Sequence, residues 1–354
     1  MKTYLVTGGA GFIGSNFIIY MLSKYNNSIE IINYDKLTYA GNKDNLAAVE
    51  QCSNYHFIKG DICDKAQLQG VFSNFKIDYC INFAAESHVD NSIIEPELFI
   101  KTNVLGTATL LNVAKSLWVD ENNGMVNTVK KFVQISTDEV YGSLGNDGEF
   151  TECSKLDAHS PYSASKASAD LIVKAYYDTY GMPVNITRCS NNYGPRQHSE
   201  KLIPVIIKNA LHGESIPIYG NGSNVRDWIY VDDHVRAIDM VIHNGEPGEI
   251  YNIGGGNEKA NIEMAYMIID KLNLTLPVWD NRKNAINNCL ITYVQDRKGH
   301  DYRYAVNTEK IRKNLGWRPE KSLDEGLQIT LEWYLNNPEW LDELSTRDIE
   351  NYSN

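Results

Sequence analysis

The stretch VTGGAGFIGSNF, residues 6–17, restricts the possible folds of this chain more than any other. An apolar, β-branched run leads directly into glycines at a G-x-x-G-x-x-G spacing (Gly8, Gly11, Gly14) and then into a helical pattern. Glycines in that setting let the backbone turn tightly, approach a pyrophosphate and pack the helix on the strand, while free N–H groups at the helix start meet the phosphates. A glycine-rich structural turn is the plainer reading of such a motif on its own. The strand-turn-helix context, and an acid, Asp35, ending the next strand about 20 residues on, favour dinucleotide binding. Asp35 can bind ribose hydroxyls and repels a 2′-phosphate, so NAD is expected over NADP, although neighbouring Lys36 pulls the other way. Phe12 and Ile13 at the helix start and Thr38 beyond Lys36 join the same cofactor set. Asp61 and Ile62, after a further strand, are expected to border the adenine.

Up to about residue 190 the pattern continues in kind. TYLVTGG, IEIINYD, YHFIKGD, IDYCINFAA, KKFVQIST and VNITRCS are strand candidates separated by amphipathic stretches. That alternation predicts an α/β fold, a doubly wound parallel sheet of Rossmann type over residues 1–190. Residues 191–354 are turn-rich and irregular, which predicts a smaller substrate-binding lobe that shares segments with the first. A helix starting near Ser160 has clear punctuation: Ser160 as N-cap, Pro161 at the first helical position and Gly181 past the end.

Charge and cysteine usage exclude several functions. A formal net charge of −12 and the lack of a long Lys/Arg cluster argue against nucleic-acid binding. No apolar run reaches membrane-spanning length, and the N-terminus enters a strand at once, so neither a membrane segment nor a signal peptide is expected. A cytoplasmic enzyme follows as the expectation. Six scattered cysteines, without a Cys-x-x-Cys pair or a His cluster at ligand spacing, predict reduced thiols and no metal site.

Two further motifs suggest chemistry. Tyr162 and Lys166 in PYSASK fall four apart, hence on one helix face, and an ammonium beside a phenol lowers its pKa toward that of a usable base. Asp138 and Glu139 stand side by side where the strand KKFVQIST ends. Neighbouring strand residues point to opposite faces, so both acids can reach one ligand only if the strand has already turned. Each motif in isolation is ordinary surface chemistry: a half-buried Tyr with a solvated Lys, and an acidic turn.

Together, in this order and approximate spacing, TGGAGFIG, NFAAESHVD, TNVLGT, STDEVYG and YSASK resemble the extended short-chain dehydrogenase/reductase family over nearly the whole chain. DKLTYAGN, CSNNYGPRQ, EKLIP, RDWIYVDDH and GHDYRYA are similar, within it, to the dTDP-glucose 4,6-dehydratases. The resemblance implies NAD as cofactor, a nucleotide-sugar substrate and a homodimer in which the helix at about 95–120 and the Tyr162 helix pack against their symmetry mates. Leu105, Leu110, Leu111 and Val113 supply apolar residues there, although some must face the sheet. The resemblance further implies that Tyr162 with Lys166 removes the O4 proton, that Glu139 is the base at C5, that protonated Asp138 is the acid at O6, and that Thr137 bonds the sugar beside O4. By the same carry-over Ala84, Ala85, Thr102 and Asn192 belong to the cofactor cleft. Ser87, Asn191, Lys201, Leu202, Pro217, Tyr219, Arg226, Asn261, Asp296 and His300 belong to the substrate. Lys298 stands where that family usually has Pro. Thymine against uracil stays open, because one methyl group in an apolar pocket is worth only about 1–3 kcal/mol; a UDP-glucose dehydratase and a non-catalytic NAD-binding regulator are the alternatives.

Overall fold

The computed structural model describes residues 1–120 and 125–342. The six runs with strand character form β1 (Lys2–Thr7), β2 (Ile29–Asp35), β3 (Tyr55–Lys59), β4 (Tyr79–Asn82), β5 (Lys131–Thr137) and β6 (Val184–Cys189). The later half adds β7 (Asn191–Tyr193), β8 (Ile216–Tyr219), β9 (Val225–Tyr230), β10 (Ile250–Ile253), β11 (Glu258–Ala260) and β12 (Ile291–Val294). Seven of them make one parallel sheet in the order β10-β6-β5-β4-β1-β2-β3. This is the doubly wound Rossmann sheet that the alternating pattern predicts.

The sheet is parallel and buried on both faces because its strands are apolar on both faces. In β1, Tyr4 and Val6 enter one core with residues of the helices Phe12–Tyr25 and Val231–Asn244, and Leu5 enters the opposite core with the helices Thr107–Trp118 and Pro161–Tyr180. Burying one such Leu, Ile or Val side chain is worth about 1.5–3 kcal/mol, so the two-sided pattern fixes the layering. β1 pairs with β2 on one side and β4 on the other, so the chain reverses direction across the sheet there. A crevice opens at the carboxyl ends of strands at such a switch point.

Past residue 190 the chain builds a second core around Tyr193, Ile203, Ile207, Ile268 and Leu327. It also returns to the first, because β10 pairs with β6 at the edge of the main sheet.

Two helices that border the crevice differ in regularity. Pro161–Tyr180 starts on a capping box, with Ser160 Oγ accepting from Ser163 N–H, and ends at left-handed Gly181; such a cap is worth about 1 kcal/mol. The single helix expected at about 95–120 is instead three pieces, Pro96–Phe99, a π-helical stretch Ile100–Gly106 and Thr107–Trp118. Inside the π stretch Asn103 accepts from Glu86 N–H and donates to Ser165 Oγ at 2.8 Å, tying it to the β4 loop and the Tyr162 helix. Of the four apolar residues named for that helix, some of which had to face the sheet, Leu105 is exposed, while Leu110, Leu111 and Val113 pack against the sheet. Leu105 lies within the π stretch, whereas the other three belong to the regular helix Thr107–Trp118 that follows it.

Candidate active site

The carboxyl ends of β1, β2, β4 and β5 meet in one cavity. At one end lies the glycine turn. Gly8 has φ +69, and a Cβ there would sit 2.6 Å from the Ala84 backbone nitrogen, so β1 can turn against β4 only through glycine. Gly11 is the opposite case. A Cβ there would meet nothing of the protein closer than Gly8 O at 3.4 Å, although Gly11, Phe12, Ile13 and Gly14 all line the cavity. The turn is thus bare toward the cavity, with the uncapped start of the helix Phe12–Tyr25 behind it. That cradle fits the pyrophosphate of a dinucleotide.

Asp35 sits at the tip of β2, its Oδ2 accepting from Ala10 N–H at 2.9 Å and its Oδ1 from Leu37 N–H at 2.7 Å. These bonds draw its pKa down, yet burial outweighs them and holds the carboxyl above its usual range. Lys36 pairs with Asp61 at 2.9 Å, which occupies the cation that could otherwise have met a 2′-phosphate. Thr38, Ile62, Ala84, Ala85, Ser87 and Thr102 line the same cavity.

At the other end β5 stops at Thr137 and passes directly into a 3-10 helix, Asp138–Tyr141, for which Thr137 Oγ1 is the N-cap, accepting from Glu139 N–H at 3.2 Å. That turn answers the geometric objection to two adjacent acids: both Asp138 and Glu139 line the cavity. Tyr162 and Lys166 reach it from the helix Pro161–Tyr180. Lys166 Nζ donates to the Ile135 carbonyl at 2.6 Å, and burial lowers its pKa. The lowered phenol expected from the Tyr-Lys spacing is not found. Burial pushes Tyr162 well above the ordinary phenol range, the nearby Glu139, Cys189 and Asp138 push the same way, and a hydrogen bond with Thr137 opposes them. Helical spacing puts Lys166 on the Tyr162 face but says nothing of how many carboxyl groups share it.

The two acids differ in surroundings. Asp138 is 1% exposed, and its Oδ2 has no hydrogen-bond partner among the described residues. Burial raises its pKa well above the usual carboxylate range, and the charges of Glu139 and Asp227 raise it further. Glu139 is less enclosed; burial raises its pKa too, but the cations of Arg226 and Lys201 pull it back. The pair therefore splits into a deep carboxyl pushed strongly toward its protonated form and a shallower one more easily ionised.

Asn191, Asn192 and Lys201 also line the cavity. The Asn191 Oδ1 is buried without a partner among the described residues, whereas Asn192 is spent on the protein: its Nδ2 donates to Ser190 O at 3.0 Å, and its Oδ1 faces His234 Nδ1 at 2.8 Å. Seven expected substrate residues fall outside the cavity lining: Leu202, Pro217, Tyr219, Arg226, Asn261, Asp296 and His300. Leu202 and Asn261 begin the helices Leu202–His212 and Asn261–Thr275. Pro217 and Tyr219 alternate on one exposed face of β8. Asp296 Oδ1 holds His300 Nδ1 at 2.6 Å, and the Arg297 guanidinium lies 4.6 Å above the Tyr219 ring. Arg226 donates to the Val225 and Asp301 carbonyls at 2.8 and 3.0 Å and rests on the Tyr304 ring at 4.3 Å. Glu86, Gln197, His198 and Glu200, which no motif assigned to the site, also line the cavity. Glu86 and Glu200 stand inside NFAAESHVD and beside Lys201, so their motifs were in view and only their orientation was missing.

Comparison with known proteins places this geometry. The family model described as GDP-mannose 4,6 dehydratase matches residues 5–330. A probable dTDP-glucose 4,6-dehydratase of Sinorhizobium fredii is 48% identical over 336 residues, 95% of this chain and 93% of that protein. The dTDP-glucose 4,6-dehydratase 1 of Escherichia coli K12 is 46% identical, over 97% of this chain and 95% of its own. Among solved structures, the Bacillus anthracis dTDP-glucose 4,6-dehydratase in complex with NAD superposes with a TM-score of 0.85 at 47% identity, covering 97% of this chain and 100% of that one. A Thermotoga maritima UDP-glucose 4-epimerase superposes nearly as well, with a TM-score of 0.82 over 95% of this chain and 99% of that one, but at 29% identity. The backbone is thus common to epimerases and dehydratases, and the sequence match is what separates them. The chain belongs to the GDP-mannose 4,6-dehydratase family of extended short-chain dehydrogenases/reductases, on its dTDP-glucose 4,6-dehydratase branch.

Proposed function

We infer that this chain converts dTDP-glucose to dTDP-4-keto-6-deoxyglucose and water, with NAD as a cofactor that is regenerated in each cycle. The observation that carries the reading is the pair Asp138 and Glu139, brought into one cavity with Tyr162 and Lys166 and set to different proton affinities by their surroundings. When bound, NAD supplies a hydride acceptor at C4 and a hydride donor at C6. Every other step falls to the chain. Tyr162 takes the O4 proton as C4 is oxidised, having first given its own proton to solvent; the Lys166 ammonium on the same face, and the positive charge that bound NAD would bring to the cavity, favour that phenolate. The C4 ketone acidifies the C5 proton, which Glu139 removes. Asp138, holding its proton, delivers it to the C6 hydroxyl, which departs as water. Glu139 then returns the proton to C5, the O4 proton held by Tyr162 replaces the one Asp138 gave up, and the net change is loss of one water. Thr137 and the unpartnered Asn191 Oδ1 are suited to hold sugar hydroxyls.

In this reading the cofactor lies along Gly8, Gly11–Gly14, Asp35 and Thr102, and the Lys36–Asp61 pair favours NAD over NADP. Arg226, Lys201, Tyr219 and the 296–300 segment take the nucleotide diphosphate. We divide the chain near residue 190 into cofactor and substrate lobes, with β10 returned to the first. Exposed Ile94, Ile100, Leu105 and Leu171 form the homodimer face. Six free cysteines suit a reducing cytoplasm. Deoxysugar biosynthesis is the setting, dTDP-rhamnose formation being the route to test first. Incubation with dTDP-, UDP- and CDP-glucose, with products identified by mass, tests the assignment: dTDP-glucose should lose water fastest, and equal or faster loss from UDP-glucose would reassign the substrate.

A further inference from the structure

Residues 36–46 form a strap beside the glycine turn, and Lys36, Thr38, Ala40 and Gly41 are part of the cavity wall. The strap is fastened from outside, by residues that do not line the cavity. Asn42 N–H and Asn45 Nδ2 both donate to the Ala10 carbonyl, at 3.1 and 2.9 Å. Ala10 is in the glycine turn, and its own N–H is the one that holds Asp35. Asn45, 4% exposed, is the hub. Its Oδ1 accepts from Trp340 Nε1 at 2.9 Å, 295 residues away in sequence, and its carbonyl accepts from Arg196 Nε at 3.1 Å. Arg196 adopts φ +69, a left-handed conformation that is costly for a residue with a side chain. In that conformation its Nη1 also donates to Asn16 Oδ1 at 3.1 Å, on the helix that follows the glycine turn. Trp333 backs the assembly, with the Arg196 guanidinium 5.7 Å above its ring and the Trp340 ring 5.4 Å away.

We propose that Asn45, Arg196 and Trp340 form a latch, closed by the C-terminal helices, that holds the strap against the glycine turn and so sets how slowly the dinucleotide leaves. The inference rests on the cofactor reading given above and deepens it. A hydride taken from C4 and returned to C6 requires a cofactor that outlasts the turnover, and a wall that opens freely does not provide that. Lifting the strap strips Asn45 of its partners at once and leaves buried polar atoms without bonds, so opening is cooperative. Asn45, Arg196 and Trp340 are positioning residues, outside the chemistry.

The test measures exchange of bound NAD for isotopically labelled NAD, by mass, in the full-length wild type and in Trp340→Phe and Asn45→Asp, each checked for folding by its melting curve. Trp340→Phe keeps a ring but loses the donor to Asn45; Asn45→Asp keeps the acceptor for Trp340 but loses the donor to Ala10. Either should release NAD about tenfold faster, with turnover unchanged at saturating NAD, and deuterium crossover between substrate molecules should rise in parallel. Unchanged exchange in a folded Asn45→Asp overturns the latch even if Trp340→Phe does not fold. So does a wild type that exchanges as fast as the variants. A wild type that makes no 4-keto product while exchange still responds to the substitutions would refute the dehydratase reading and leave the latch standing.

Discussion

Replacing Asp138 by Asn should stabilise the fold while crippling the chemistry, and the stability gain should depend on pH. The side chain is 1% exposed, Thr137 Oγ1 donates to its Oδ1 at 3.3 Å, and its Oδ2 has no partner among the described residues. Burial, then the charges of Glu139 and Asp227, hold its carboxyl well above the usual range, and Arg226 offsets them only in part. A carboxyl whose folded pKa exceeds its unfolded value takes up a proton on folding. Its contribution to stability is fully present below the unfolded value of about 3.9 and is lost as pH rises from there to the folded value, at about 1.4 kcal/mol per pH unit. Asn titrates nowhere in that window. The advantage of Asp138→Asn should therefore grow from acid toward neutral pH, each kcal/mol raising the melting temperature by about 2 °C in a chain of this size. Thermal melts of wild type and variant between about pH 5 and 8 read the slope. The same preparations should lose about 10²–10⁴-fold in water elimination, the usual contribution of a placed proton donor. An offset in melting temperature that stays constant across pH would mean that Asp138 is charged in the folded protein, and its role as the acid at O6 would fall with it.

Glu139→Gln should oxidise C4 and stop before C5 deprotonation, so that enzyme-bound NADH accumulates; no NADH absorbance despite demonstrated substrate binding would contradict the division of labour within the pair. In the wild type, Glu139 has a raised pKa, so activity should fall on the acid side at a pH above the ordinary carboxylate range, and that limb should vanish in the variant's C4 oxidation step. Tyr162→Phe should lower C4 oxidation by about 10²–10⁴-fold, with Lys166→Met nearly as damaging; residual turnover of more than a few per cent with an unaltered pH profile would refute the assigned base. Glucose labelled with deuterium at C4 should yield product labelled at C6 in the same molecule, with a solvent proton at C5, and label crossing between molecules in the wild type would point to an exchangeable intermediate. Leu105→Glu combined with Leu171→Glu should convert a dimer to a monomer in light scattering, since both side chains are more than half exposed on adjoining helices; a wild type already monomeric at micromolar concentration would remove that interface.

The sequence by itself determined the parts of this protein that are local. Short β-branched runs between helical stretches marked six of the seven main-sheet strands, the glycine spacing marked the turn after β1, and Ser160, Pro161 and Gly181 bounded the Tyr162 helix, because strand runs, caps and turns depend on residues a few positions apart. Tertiary structure decided what depends on distant neighbours. β10 joined the sheet from beyond residue 190 because an edge of β6 was open to it, which no pattern within IYNI announces. Leu110, Leu111 and Val113 turned inward in a regular helix while Leu105, in the π-helical stretch just before it, stayed outside. Burial and charges from separate elements raise the proton affinities of Tyr162, Asp138 and Glu139, the phenol by Glu139 and Asp138 and the acids against the pull of Arg226, and helical spacing carries none of those neighbours. Asn45 and Trp340 meet only once the helix Glu339–Asp342 packs beside the glycine turn, and a contact across 295 residues leaves no trace in the spacing of either.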